Sequence, residues 1–147
     1  MGYAVFSQDP KGLPAIERLA GHATRFFGVT LEAVATGDDW VRVHLASARA
    51  PRFDATLVIR VRSVTREDIS DAKDAEARGR AAGMSTLAER CPRLLEIEPA
   101  EGAPMDEAAH LAIAGICASV ALGPVMPADH STLFGVRGAM ERLALLG

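Results

Sequence analysis

The feature that most constrains this chain is an uncharged run of eighteen residues, 111–128. A membrane-crossing helix needs about 20 apolar residues. Gly123-Pro124 and Pro127 interrupt the run, so regular helix should stop near Leu122. The segment therefore reads as a core helix, capped at its start by Asp106 and apolar nearly all round. Such a helix needs partners on most of its circumference. Its many alanines, with Gly115 and Ser119, let those partners approach closely.

The rest of the chain supplies candidate partners. Leu13, Ile16, Leu19, Ala20, Ala23 and Phe27 recur at helical spacing after Pro14, whose fixed φ suits a first helical position, and Gly28 ends the pattern. A strand follows over 29–36, then a turn at Gly37-Asp38-Asp39. Over 40–48, Trp40, Arg42, His44 and Ala46 alternate with Val41, Val43 and Leu45. Over 53–62, Phe53, Ala55, Leu57, Ile59 and Val61 share one face, with Asp54, Thr56, Val58, Arg60 and Arg62 on the other. Period-two alternation with short connections implies an antiparallel meander with one face buried.

Thr65 with Asp68 forms a capped start for a helix over 66–82 that is poor in large apolar residues, so this element is expected to be exposed or mobile. A short helix over 85–91 and a strand over 94–98 come next. The loop 123–130 is held by prolines, and Asp129 or Ser131 is expected to cap a last helix reaching Leu146. The expected fold is a single α+β domain over 1–147, in the order α-β-β-β-α-β-α-α. It has a three- to four-stranded, mainly antiparallel sheet with helices packed on one face.

Composition narrows the function. The net charge of −3 argues against nucleic-acid binding, which needs a basic face. Fourteen arginines against two lysines, 27 alanines and no asparagine point to a GC-rich bacterial genome, so the arginine excess reflects codon usage. Cys91 and Cys117 stand alone and read as buried thiols rather than a disulfide or zinc framework. No basic leader precedes an apolar run at the start of the sequence, so a cytoplasmic protein without a membrane segment is expected.

Nucleotide-binding, hydrolase and metal-binding motifs are absent, and no cofactor is expected. Arg42, His44, Arg60 and Arg62 should project from adjacent strands on the wetter sheet face. There they would either cradle an anion or pair with Glu32, Glu96 and Glu98. His130 and Ser131, with Arg137 nearby, form a second candidate at a helix start. If the last two helices form a hairpin, His110 and His130 fall at opposite ends of a helix about 18 Å long and share no metal. His22 and His44 could still meet.

The expected function is that of a small non-catalytic bacterial binding protein, an accessory, adaptor or immunity-type protein acting through another protein or self-association. The alternative is a small enzyme or anionic-ligand-binding domain using an Arg/His-lined site, with histidine as the acid–base group.

Overall fold

In a computed structural model, which describes residues 2–147, alternating strands and the uncharged helix form the expected α+β arrangement with more strands than foreseen. The elements are β1 (Tyr3–Ser7), α1 (Ile16–His22) continued by a π-helical turn (Ala23–Phe27), β2 (Thr30–Thr36), β3 (Trp40–Ser47), β4 (Phe53–Ser63), α2 (Arg66–Gly79), α3 (Met84–Glu89), β5 (Arg93–Pro99), α4 (Glu107–Ala121), β6 (Val125–Met126) and α5 (Val136–Leu146). One antiparallel sheet of six strands runs β2-β3-β4-β5-β1-β6.

Three expectations need correction. The sheet has six strands rather than three or four, and the element order is β-α-β-β-β-α-α-β-α-β-α. The two extra strands are β1 and β6. In β1, Tyr3, Val5 and Phe6 are all buried, so it shows none of the alternation that marks a half-wet strand. In β6, only two residues fit between two prolines. The helices also lie on both sides of the sheet. α1, α4 and α5 pack with Tyr3, Val5, Val43, Leu57, Ile59, Leu95 and Ile97. The opposite faces of β1, β5 and β6, carrying Phe6, Leu94 and Met126, pack on Ala72 and Ala75 of α2 and Ala88 of α3. Helix α2 contributes only small residues there, but Ala72 and Ala75 are fully buried, so it is docked on this cluster rather than free.

Helix ends shift for local reasons. Ala15, not Pro14, precedes α1 in an extended conformation. Helix α2 stops at Gly79, three residues before the expected end, because Arg80 adopts a left-handed conformation. Helix α5 starts only at Val136, after Gly135, rather than at Asp129 or Ser131. Reciprocal backbone hydrogen bonds between Phe134 and Val125, at 2.7 and 3.1 Å, keep the preceding segment extended.

Helix α4 is the centre of the first core. Asp106 caps it by accepting from the Ala109 N–H at 3.0 Å. Ile113 and Ile116 are fully buried, each contributing about 1.5–3 kcal/mol. At Gly115 a Cβ would lie 2.6 Å from Phe27 Cζ and 2.9 Å from Ala139 Cβ, so both the π-helical turn and α5 press on this point. His110 is the polar exception. Its Nδ1 donates to the Asp106 carbonyl at 2.8 Å, while Nε2 is buried without a partner. Burial therefore lowers its pKa, against the opposing pull of the Asp106 carbonyl and the nearby carboxylates.

Two predictions test this core. Gly115→Ala gains about 1 kcal/mol of helix propensity but overpacks at a typical cost of about 1–3 kcal/mol. The variant should thus have a lower urea midpoint than the parent. For His110, the unfolded chain takes up a proton at pH values where the folded chain does not. Stability should then fall as pH drops below about 6.5, with a slope of at most about 1.4 kcal/mol per pH unit. Urea titrations at about pH 7.5 and pH 5 should show a smaller acid loss in His110→Leu than in the parent.

Candidate functional site

Helices α2 and α3 cover only part of the outer sheet face, over β5, β1 and β6. On the β3 and β4 side, the candidate residues point away from the first core, as the alternation requires. Register places Arg42 opposite Val58, His44 opposite Thr56 and Trp40 opposite Arg60. The structure gives these side chains unequal surroundings. His44 Nε2 lies 2.5 Å from Asp54 Oδ1, a partner two register positions along rather than the directly opposite Glu32. The Arg42 guanidinium lies 5.9 Å from the Trp40 ring centroid, and its buried Nε has no hydrogen-bond partner. Arg60 is exposed and sits opposite Glu96 in register.

Arg62 is fully engaged. Its Nη1 and Nη2 donate to the two carboxylate oxygens of Asp68 at 2.6 and 2.8 Å, and its Nε lies 3.3 Å from Glu96. Asp68 also closes the capping box of α2, accepting from the Thr65 N–H at 2.8 Å and the Thr65 hydroxyl at 3.0 Å. Burial pushes the Asp68 carboxyl up, but the bonds from Arg62 and Thr65 outweigh it and leave the pKa below the ordinary value. The Arg62 pKa is raised, chiefly by the same Asp68 bond.

This pair forms part of the wall of a cleft of about 460 Å³ between the start of α2 and strands β5, β1 and β6. Ala4, Leu94 and Met126 contribute apolar surface. Five carboxylates line it, Glu67, Asp68, Asp71, Glu96 and Glu98, against the single guanidinium of Arg62. His130 joins them from the loop 127–131. Its left-handed backbone (φ 54°) is held by its N–H bond to the Pro127 carbonyl and by Arg78 donating to its own carbonyl at 3.1 Å. Two candidates read as belonging to separate sites, Arg62 and His130, thus line one cleft, while Arg42, His44 and Arg60 do not line it.

Ser131 goes elsewhere. Helices α4 and α5 do pack as an antiparallel pair, with Gly115 against Ala139 and Leu111 beside Leu145 and Leu146, but strand β6 returns the connecting loop along β1 toward the start of α4. Pro127, Asp129 and Ser131 line a second cleft, of about 290 Å³, with Glu107 and Leu111 of α4 and Arg142 of α5. Tyr3 borders both clefts and donates its hydroxyl to Glu107. Arg137 lines neither. It borders a groove of about 750 Å³ between the 79–84 segment and α5, walled largely by small and apolar residues.

The remaining chemistry is dispersed. His22 Nδ1 meets the Ser119 hydroxyl at 2.8 Å, whereas His44 projects from the opposite sheet face. Burial pushes the Cys91 thiol up to about 11 and the Cys117 thiol up to about 12. Both are thereby poor nucleophiles. Among the described residues, no three His, Cys, Asp or Glu side chains are grouped to hold a metal ion. The acidic cleft was not legible in the sequence because Asp68 read only as a cap and Asp71 carried no signal of its own on a helix expected to be exposed. Nothing in the local pattern singled out Tyr3, Glu107 or Arg142.

No protein-family model, no curated protein and no solved structure matches the chain.

Removing Arg62 should leave the buried Asp68 carboxylate undercompensated. Arg62→Ala is expected to destabilise the fold by about 1–3 kcal/mol. Arg60→Ala, on the exposed part of the same strand, should stay within about 0.5 kcal/mol. Chemical denaturation of the two variants side by side checks the difference.

Proposed function

We propose that this chain is a non-catalytic protein-binding domain of a bacterial cytoplasm, of the accessory, adaptor or immunity type, and that its acidic cleft receives a basic segment of another protein. The observation that carries this reading is the imbalance in the cleft beside α2: five carboxylates, with Arg62 already committed to Asp68 and Glu96. Glu67 and Asp68 also favour the helix start, where negative charge is stabilising. Asp71, Glu96 and Glu98 have no such role in the macrodipole and add to the same field. An anion entering here meets net repulsion, whereas an Arg or Lys side chain gains charge-assisted hydrogen bonds. The apolar surface of Ala4, Leu94 and Met126 suits the methylene stem of such a residue or an adjacent apolar one.

The alternative of an anion-binding or catalytic Arg/His face is less well supported. Its arginines and histidine divide between the cleft and the open sheet, and Arg62 and His44 are occupied by carboxylates. A cytoplasmic setting is compatible with the absence, among the described residues, of a helix long and apolar enough to cross a membrane. The bacterial assignment rests on the arginine-over-lysine bias.

Fluorescence anisotropy with a short labelled peptide alternating Arg and Leu tests the reading, with its Glu/Leu counterpart as control. The basic peptide should bind and weaken as salt rises. Reversing two charges that make no internal ion pair, Asp71→Lys with Glu98→Lys, should lower its affinity at least tenfold, about 1.4 kcal/mol. Preferential binding of the acidic peptide, or unchanged affinity in the double variant, overturns the proposal.

A further inference from the structure

The second cleft has a different chemistry. Its polar groups carry both signs: Glu107 and Asp129 are carboxylates, and Arg142 is a guanidinium. Arg142 lies 4.5 Å from the Phe134 ring centroid and makes no ion pair within 4 Å among the described residues. Glu107 accepts the Tyr3 hydroxyl, and Asp129 accepts the Ser131 N–H at 3.0 Å, so each lining carboxylate is held by an internal hydrogen bond. All three charged groups line the same cleft, together with the Tyr3 phenol. Leu145 and Leu146 stand at the lip of α5, 85% and 48% exposed, beside Leu111 and Phe134.

We propose that this cleft, between the start of α4, the loop 127–131 and the end of α5, binds a free α-amino acid with an apolar side chain. A lone anion here faces two carboxylates, and a lone cation faces an unpaired guanidinium. A zwitterion satisfies both, its carboxylate toward Arg142 and its ammonium toward Glu107 and Asp129. Its side chain then covers Leu145 and Leu146, removing apolar surface from water. The volume of about 290 Å³ is at the small end of ligand clefts, which suits an amino acid better than a nucleotide or a folded segment. This site shares a loop with the acidic cleft but none of the carboxylates on which the peptide reading rests, so either can fail without the other.

Isothermal titration calorimetry of the full chain decides it, using L-leucine, N-acetyl-L-leucine, L-leucinamide and glycine. Leucine should bind. The acetylated compound, which lacks the ammonium, and the amide, which lacks the carboxylate, should each bind at least tenfold more weakly. Glycine, without a side chain to cover the leucines, should also be weaker. Arg142→Gln and Asp129→Asn, with unchanged circular dichroism and melting temperature, should each lose leucine affinity by about tenfold. Absence of leucine binding at millimolar concentration overturns the proposal. So does either blocked analogue binding as tightly as leucine, or unchanged affinity in Arg142→Gln.

Discussion

The placement of β1 between β5 and β6 is the constraint from which the rest of the structure follows. Its successive side chains enter different cores. Tyr3 and Val5 pack with α4 and the helices on its side, whereas Phe6 packs with α2, α3, Leu94 and Met126. A strand buried on both faces leaves its backbone no water, so every amide depends on its neighbours. Register with β5 runs the full length of β1, from Tyr3 opposite Ile97 to Ser7 opposite Arg93, and β6 closes the other edge at Ala4 and Val5. The first strand of the chain is thus satisfied only after the segments 93–99 and 125–126 have arrived. These contacts are far apart in sequence, and such pairing is the slow part of folding.

The same strand explains why two clefts form where they do. Met126 ends β6 beside Ala4, and the chain must then turn sharply through loop 127–131. The loop places His130 toward the start of α2 and Pro127, Asp129 and Ser131 toward the start of α4. Tyr3 borders both. What distinguishes the clefts is therefore the helix that each faces. The start of α2 brings its stabilising carboxylates, and the end of α5 brings Arg142 and two leucines.

Much of this was legible where one side of an element is wet and the other dry. β3 and β4 announce themselves by alternation, and the outward positions of Arg42, His44, Arg60 and Arg62 follow from it directly. The uncharged helix is equally clear, because eighteen residues without a charge have few alternatives to a core. β1 and β6 were illegible for the converse physical reason. Burial on both faces removes the period-two signal, and two residues are too few to have a period. Missing β6 misplaced the whole loop after it, since without a returning strand Ser131 falls far from Glu107. The partners of the candidate residues were legible only in part: Glu96 does meet Arg62, as the strand faces allow. Asp54 takes His44 in preference to Glu32, and Asp68 takes Arg62 from six residues along the chain, choices set by side-chain reach and not by register.

Competition for internal partners separates the arginines more sharply than their position does. Arg62 and Arg142 both border a cleft, but their availability differs. Arg62 faces a carboxylate that α2 must hold near its first turn, so the pair satisfies a capping box, a desolvated acid and a guanidinium at once. An incoming anion would have to displace all three arrangements to recruit that arginine. Arg142 instead lies over the Phe134 ring and makes no ion pair among the described residues, so its N–H fork is not committed to a carboxylate. Sequence composition counts these two residues alike. The local cost of freeing the guanidinium makes one part of the scaffold and leaves the other open to a ligand, and that cost is set by whether a neighbouring carboxylate is itself desolvated.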